Sequence, residues 1–291
     1  MSSTLQAVTT AAGLRAVVAD WRAQRLSVGL VPTMGALHSG HLSLVDRSRA
    51  RCDRTIVTIF VNPIQFGPGE DFERYPRREA DDIAQLEARG CDLVFVPSPD
   101  EIFADGPSGL RTAVSVARLD ASLCGAHRPG HFTGVATIVM KLLMLTRPDV
   151  AVFGEKDYQQ LQIIRTMVRD LSVPVTIDGA PIVREPDGLA MSSRNAYLSP
   201  EMRALAPGLH RALSAAATRL TGGEAPVAIL AQVTTDLREA GFDVDYVSLV
   251  DAGSLEPLDQ LDRPGRLAAA ARLGTTRLID NVAVMPAGRT R

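Results

Sequence analysis

Two histidines, His38 and His41, stand three residues apart in a glycine-containing segment that follows a short apolar run. The run, residues 27–31 (SVGLV), ends at a proline and is typical of a buried strand. The segment 32–41 (PTMGALHSGH) then opens a helix, whose first backbone amides and positive dipole end attract anions. Its glycines allow a phosphate to approach the backbone closely. Two imidazoles on one helical face can both donate hydrogen bonds to phosphate oxygens. The pattern therefore predicts a phosphate-handling site.

The same residues match the H-x-G-H signature of nucleotidyltransferases that cleave ATP between its α- and β-phosphates. The alternative is a capped helix that carries two surface histidines. A metal site is a weaker interpretation, because the segment has neither an H-E-x-x-H pattern nor a third ligand nearby. We therefore expect no protein-bound metal and favour ATP chemistry, since the segment joins a strand to a helix.

A lysine lies in a second turn of this kind. The sequence contains two lysines, Lys141 and Lys156, and Lys156 belongs to the stretch 154–157 (GEKD) after the apolar run 150–153. Its ammonium is a compact cation suited to a β- or γ-phosphate, whereas an isolated lysine would be interpreted as a solvated surface side chain. Asp157 can cap the following helix and can also contact ribose hydroxyls.

A third polar segment, residues 191–195 (MSSRN), combines the hydroxyls of Ser192 and Ser193 with the guanidinium of Arg194. It resembles the K-M-S-K-S loop that accompanies H-x-G-H in class I aminoacyl-tRNA synthetases. On its own the segment is also typical of an ordinary capping turn. Together with the first two segments it predicts a further contribution to phosphate binding.

Neutral amides follow two of the predicted strands. Asn62 and Gln65 come after the run 55–61, and Gln160 lies on the helix after the fourth strand. Amides can orient a small substrate that bears hydroxyl and carboxylate groups without adding net charge. Asn62 precedes a proline, so a turn role is also open for it.

Three further histidines have less definite roles. His127 and His131 flank Arg128 at spacing i, i+4 before an apolar helix. A metal pair is conceivable there, but we favour polarity at the helix N-terminus or a role in substrate access. His210 is expected to be structural.

Apolar runs alternate with helical patterns through the first two thirds of the chain. The predicted strands are residues 27–31, 55–61, 93–96, 150–153 and 173–177, and the predicted helices are 41–51, 79–89, 131–146 and 158–170. This alternation predicts an α/β fold with a parallel sheet covered on both faces. Ligands then bind beyond the carboxyl ends of the strands. The polar, turn-rich stretch 67–77 predicts a mobile loop over that edge.

The alternation ends near residue 182, where glycines and prolines interrupt it. Helical patterns at 199–219 and 225–240 then precede strand patterns at 244–250, 267–272 and 277–284. We therefore predict a catalytic domain over residues 1–182 and a smaller α+β domain over residues 183–291 that closes over the site.

Composition excludes several classes of protein. The formal net charge is -2, so neither nucleic acid nor an anionic membrane is an expected partner. No apolar run is long enough to span a bilayer, and no signal-peptide pattern is expected. Cys52, Cys91 and Cys124 are odd in number and widely spaced, which predicts reduced thiols in the cytoplasm, without disulfides or structural zinc.

Long motifs that cover nearly the whole chain resemble the pantothenate synthetase (pantoate–β-alanine ligase) family. They are VPTMGALHSGH at 31–41, IFVNPIQFGPGEDFERYPR at 59–77, RPGHFTGVATIV at 128–139, VFGEKDYQQLQIIR at 152–165, DGLAMSSRNAYL at 187–198 and ARLGTTRLIDN at 271–281. The resemblance implies a Rossmann-like N-terminal domain, a small C-terminal domain and a homodimer. It also implies that pantoate attacks the α-phosphate of Mg-ATP to give pantoyl adenylate and pyrophosphate, after which β-alanine displaces AMP.

The resemblance also assigns roles to individual residues. His41 matches the family's proton donor, and His38, Lys156 and Arg194 complete the implied catalytic set. The implied ATP-binding residues are Pro32, Thr33, Met34, Gly35, Ala36, Leu37, His38, Ser39, Gly40, His41, Gly154, Glu155, Lys156, Asp157, Val183, Met191, Ser192, Ser193 and Arg194. The implied pantoate residues are Gln65, Gln160, Met34 and Asn62, and Gln65 is also implied to lie near β-alanine.

Two other functions compete with this one. An H-x-G-H nucleotidyltransferase that joins AMP to a phosphate-bearing acceptor would need a cationic acceptor pocket, where this chain offers Gln65 and Gln160. A catalytically silent nucleotide-binding protein would not need the polar groups that turnover requires, and this chain has all of them.

Overall fold

The computed structural model describes residues 5–286, in which two sheets are covered by helices. The strands are β1 Gln6–Val8, β2 Val28–Thr33, β3 Arg54–Ile59, β4 Leu93–Phe95, β5 Val150–Gly154, β6 Thr176–Ala180, β7 Asp243–Asp251, β8 Gly265–Leu273 and β9 Thr276–Val284. The helices are α1 Ala11–Ala23, α2 Ser39–Arg49, α3 Glu79–Ala88, α4 Pro99–Ile102, α5 Leu123–His127, α6 His131–Thr146, α7 Tyr158–Asp170, α8 Pro200–Leu205, α9 Gly208–Thr221 and α10 Pro226–Glu239.

The first six strands are β-branched or apolar segments that pair in parallel, in the order β1-β4-β3-β2-β5-β6. From β2 the chain proceeds to β3 and β4 on one side, whereas β5 and β6 extend the sheet on the other. This reversal opens a crevice beyond the carboxyl ends of β2 and β5. Because β2 ends at Thr33 and β5 at Gly154, the two predicted phosphate segments emerge beside each other.

Both faces of this sheet are covered, as the apolar strand patterns predict. One face packs against α1, α6 and α7 through residues such as Leu14, Val135 and Ile163, and the other packs against α2 and α3 through Val45 and Leu86. Although α6 is largely buried and apolar, no helix within residues 5–286 is long and apolar enough to cross a membrane.

The remaining strands form a separate antiparallel sheet in the order β7-β8-β9. Helices α9 and α10 cover it, and their shared core runs from Leu189 to Val284. The predicted α/β class, with a Rossmann-like sheet and a smaller α+β part, is therefore confirmed. The boundary at 182/183 stays a prediction.

Some elements differ from the sequence-based expectation. β1 and α1 were not predicted from the sequence. β1 consists of three mostly exposed residues and forms by pairing with β4. The fifth predicted strand, 173–177, lies instead at Thr176–Ala180. The predicted helix 199–219 is wrong as a single element, because the chain divides into α8 and α9 around Pro207, whose ring is incompatible with an uninterrupted helix.

Gly134 allows α6 to lie against the 3-10 turn Pro63–Gln65. A Cβ at position 134 would lie 2.3 Å from the carbonyl oxygen of Ile64 and 2.9 Å from the Cα of Gln65. Although alanine favours helix more than glycine does, this backbone clash should dominate. We predict that Gly134→Ala lowers the free energy of unfolding by about 1–3 kcal/mol, measured by chemical denaturation.

Gly208→Ala in α9 is the matched control. Its Cβ would meet the Phe242 ring at 3.5 Å, an ordinary contact, so stability should stay close to that of the parent. An unchanged denaturation midpoint for Gly134→Ala would contradict the predicted clash.

Candidate active site

The turn after β2 is held in an unusual backbone conformation. Gly35 and Ala36 both have positive φ, 79° and 50°, which alanine adopts only at a cost. The buried carboxylate of Asp82, on α3, accepts hydrogen bonds from the amides of Ala36 at 2.8 Å and Leu37 at 2.7 Å. Asp82 therefore holds the turn that presents the two histidines.

His38 is the N-cap of α2 and not part of it, so the prediction that both histidines share a helical face is wrong in detail. The Nδ1 atom of His38 accepts from the Gly40 amide at 3.1 Å, which leaves Nε2 to carry the proton. The His41 ring lies 4.1 Å from the His38 ring, centroid to centroid, with the two ring planes tilted by 33°, so the imidazoles are in contact.

Both imidazoles are neutral near pH 7. Burial, followed by the charge of Lys156, lowers the pKa of His38 to about 4. Burial, followed by His38 and Lys156, lowers the pKa of His41 to about 3. The Nδ1 atom of His41 has no hydrogen-bond partner among the described residues. The pair thus offers neutral N–H donors, beside a cation, to an incoming anion.

Lys156 lies in the 3-10 turn Glu155–Asp157 at the end of β5. Its Nζ is 3.8 Å from a carboxylate oxygen of Asp157, beyond hydrogen-bond distance. Asp157 occupies the N-cap position of α7, but its side chain makes no capping bond. The Glu155 carboxylate accepts from Arg266 of β8 at 2.8 Å, so the second sheet contacts this turn.

The third predicted segment closes the crevice from the other side. Ser192 caps the 3-10 turn Ser193–Tyr197, and the Ser193 hydroxyl donates to the carbonyl of Ala36 at 3.1 Å. Arg194 forms two hydrogen bonds, of 2.9 and 2.8 Å, to the carboxylate of Asp71 in the loop 67–77. The expected phosphate-binding cation is therefore paired with the loop predicted to cover the site.

These segments surround a cavity of about 220 Å³. The predicted residues on its wall are Pro32, Thr33, Met34, His38, Gly40, His41, Asn62, Gln65, Gly154, Lys156, Asp157, Gln160, Val183, Met191, Ser192, Ser193 and Arg194. The other predicted ATP-binding residues, which are Gly35, Ala36, Leu37, Ser39 and Glu155, are not part of its lining. A second cavity of about 520 Å³ lies against the antiparallel sheet and shares Lys156, Gln160 and Arg194.

The predicted amide side chains, Asn62, Gln65 and Gln160, differ in their hydrogen-bond partners. Asn62 is buried, and its amide nitrogen donates to Gln65 Oε1 at 2.9 Å and to the Gly134 carbonyl at 3.2 Å. Gln65 Nε2 in turn contacts the Met34 sulfur at 3.2 Å. All three amide side chains lie on the cavity wall, and Asn62 is in addition engaged in orienting Gln65.

His131 also supports Gln65. Its Nδ1 donates to the Gln65 carbonyl at 2.8 Å, and its Nε2 accepts from Arg128 at 2.9 Å. Burial, followed by Arg128, lowers the pKa of His131 to about 4. Arg128 is paired with Glu70 through two 2.6 Å bonds. His127 instead lies beside the Tyr246 ring, and the described residues contain no cluster of three metal-ligating side chains.

Comparison with known proteins agrees with this geometry. The family model for pantoate-β-alanine ligase matches residues 6–283. The pantothenate synthetase of Paramagnetospirillum magneticum is 56% identical over 287 residues, which are 98% of this chain and 100% of the relative. This chain belongs to the pantoate–β-alanine ligase family. The resemblance expected from the motifs is confirmed, and the chain is an enzyme of this ligase family.

Solved structures of the family share the fold. Pantothenate synthetase from Thermus thermophilus superimposes with a TM-score of 0.90 at 47% identity, over 97% of this chain and 100% of that one. Pantoate-β-alanine ligase from Francisella tularensis, solved with beta-gamma ATP and β-alanine, gives a TM-score of 0.82 at 31% identity, over 96% and 97%.

Several residues of the site lie outside the predicted set. Asp82 supports the histidine turn, Glu70 and Asp71 pair with cavity arginines, and Asn281 on β9 contacts the Lys156 turn. The signal for Asp82 was a carboxylate on the buried side of α3, which becomes recognisable only once the neighbouring turn is known.

The buried His41 should make stability depend on pH. Because its folded pKa of about 3 lies below the ordinary 6.5, the unfolded chain binds more protons between these values, and stability falls as pH decreases. At pH 5 the His41 contribution to this loss is about 2 kcal/mol. We predict that His41→Asn loses less stability than the parent when the pH is lowered to about 5, measured by thermal denaturation.

His127 is exposed and provides the control. His127→Asn should keep the parent's pH dependence. Equal acid sensitivity of His41→Asn and the parent would show that His41 is not held neutral by burial.

Proposed function

We propose that this chain joins pantoate to β-alanine with MgATP, through a pantoyl-adenylate intermediate, and releases AMP and pyrophosphate. The observation that carries the proposal is the convergence of the His38–His41 turn, Lys156 and the amides of Gln65 and Gln160 on one cavity. The Francisella tularensis relative, solved with beta-gamma ATP and β-alanine, supports two of the three substrates.

In this proposal ATP binds across the carboxyl ends of β2 and β5. Residues 32–41 and 154–157 hold the phosphates and ribose, and Val183 and residues 191–194 form the opposite wall. His38, His41 and Lys156 donate hydrogen bonds to phosphate oxygens, with His41 at the position of the family's proton donor. Arg194 also binds phosphate, once a phosphate group replaces the Asp71 carboxylate as its partner. Either anion suits its planar guanidinium.

Mg²⁺ enters as part of the substrate MgATP. This ion prefers phosphate oxygens and water to a cage of protein ligands. Asp157 supplies one carboxylate on the cavity wall, where MgATP is proposed to bind.

The first step forms a bond between a pantoate carboxylate oxygen and the α-phosphorus while the bond to pyrophosphate breaks. Negative charge grows on the departing pyrophosphate, so fixed donors and the Lys156 cation stabilise the transition state. In the second step the free amine of β-alanine attacks the acyl carbon, and the bond from that carbon to the oxygen shared with AMP breaks. AMP departs with that oxygen, and the attacking nitrogen releases one proton to solvent. The enzyme needs no side-chain nucleophile, because AMP carries the acyl group.

In this proposal pantoate binds against Gln65, Gln160 and Met34, Asn62 orients Gln65, and Gln65 also meets β-alanine. Neutral amides suit the hydroxyl groups and carboxylate of this acid. The rival acceptor, a phosphate-bearing molecule, would require unpaired cations. Arg128, the arginine beside Gln65, is already paired with the Glu70 carboxylate, and Arg194 is assigned to ATP, which favours pantoate as the acceptor.

We also propose a homodimer in the cytoplasm and a domain boundary near residue 183. The family resemblance supports the dimer, and three free cysteines support a reducing compartment. The end of the parallel sheet at Ala180 supports the boundary.

Isotope exchange separates the candidate functions. We predict that labelled pyrophosphate exchanges into ATP only when pantoate is present, and that pantothenate forms only after β-alanine is added. Exchange that ignores pantoate would contradict the ligase function, and absence of exchange with intact ATP binding would favour a silent nucleotide-binding protein.

The two lysines provide a matched pair of variants for this assay. Lys156→Met should slow exchange on the order of 10²–10³-fold, because a cation is lost where charge develops. Lys141 contacts the Ile102 carbonyl and does not line the cavity, so Lys141→Met should exchange at nearly the parent rate once folded.

A further inference from the structure

The motif at 271–281 places two adjacent buried polar residues, Asp280 and Asn281, on the edge strand β9. Neither lies in the ATP or pantoate sets. The side-chain amide nitrogen of Asn281 donates to the carbonyls of Glu155 and Lys156, both at 3.0 Å. Carbonyls only accept, so this orientation of the amide follows from its surroundings.

These two carbonyls belong to the peptide groups on either side of the Lys156 Cα. Holding both peptide planes fixes the backbone dihedrals of Lys156, and with them the direction in which its side chain leaves the turn. The Lys156 ammonium lies 3.8 Å from the Asp157 carboxylate, which is a weak restraint on its position. Asn281 therefore restrains the backbone from which the Lys156 side chain extends.

Asp280 holds the neighbouring segment of the site. Its carboxylate accepts from Arg184 at 2.6 and 2.9 Å and also from the backbone amide of Asn281 at 2.7 Å. Arg184 lies in the stretch that bridges to Ala190, directly before the Met191–Ser193 segment. One strand of the second sheet thus contacts the Lys156 turn and supports the stretch that leads into the third polar segment.

Stability does not account for Asn281 well. Its Oδ1 is buried without a hydrogen-bond partner among the described residues, and such an atom reduces the net stabilisation that the amide provides. Buried polar groups that break a local rule are expected at functional sites.

We propose that Asn281 is a positioning residue that sets the direction of Lys156 for transition-state stabilisation. This inference rests on the proposed function. It assigns the antiparallel sheet a role in adenylation, because a displacement of about 1 Å at a reacting group can cost on the order of 10²-fold in rate.

The test is a double-mutant cycle in pantoate-dependent pyrophosphate exchange. Asn281→Ala should slow exchange on the order of 10²-fold with little change in the KM for pantoate. Asn281→Asp should be slower still, because its carboxylate oxygens face two carbonyl oxygens. In the Lys156→Met background, Asn281→Ala should change the rate by less than about twofold, since the misplaced cation is already absent.

Val284→Ala on the same strand is the control for general damage to the second sheet. It removes buried methyl groups from the core, so it should lower Tm without the selective loss of exchange rate. If Asn281→Ala does not fold, Asn281→Ser, which keeps a small donor, takes its place in the cycle.

Two outcomes would overturn the inference. One is an exchange rate for Asn281→Ala within about twofold of the parent, and the other is a loss that multiplies fully with that of Lys156→Met. Absence of pantoate-dependent exchange in the parent enzyme would instead refute the proposed function, so the two failures are distinguishable.

Discussion

The active site depends on the reversal of strand order between β2 and β5. Two parallel strands that lie side by side must end at the same edge of the sheet, and at this reversal their connections diverge to opposite sides. The histidine turn after Thr33 and the lysine turn after Gly154 therefore open onto one crevice. Neither turn alone forms a nucleotide site. Their adjacency supplies neutral donors and a cation within one cavity.

Two further cations of the site are balanced by acidic residues of the loop 67–77. Arg128 pairs with Glu70 and Arg194 with Asp71, so partly buried ion pairs join this loop to the start of α6 and to the third polar segment. Such pairs are costly to break without a replacement anion. Under the proposed function a triphosphate replaces Asp71 as the partner of Arg194, which links ATP binding to the position of the loop 67–77.

Much of this arrangement could be predicted from local patterns. The strands at the centre of the sheet are continuous apolar runs that end at prolines or glycines, so β2, β3 and β5 and the turns after them were evident. Residues that act across long sequence separations could not be predicted from such patterns. Asp82 reaches a turn 45 residues earlier and Asn281 reaches one 125 residues earlier. Each is one polar residue in a helix or strand, without a local pattern to mark it. The capping position of His38 depended on where α2 begins, which spacing alone could not decide.

The proposed intermediate joins pantoate to AMP through one of pantoate's own carboxylate oxygens. Pantoate labelled with ¹⁸O in its carboxylate tests this directly, with mass spectrometry of the products formed with MgATP and β-alanine. Attack on the α-phosphate predicts that an ¹⁸O atom appears in AMP and that pyrophosphate stays unlabelled. Unlabelled AMP accompanying pantothenate, or label in the pyrophosphate, would contradict the account.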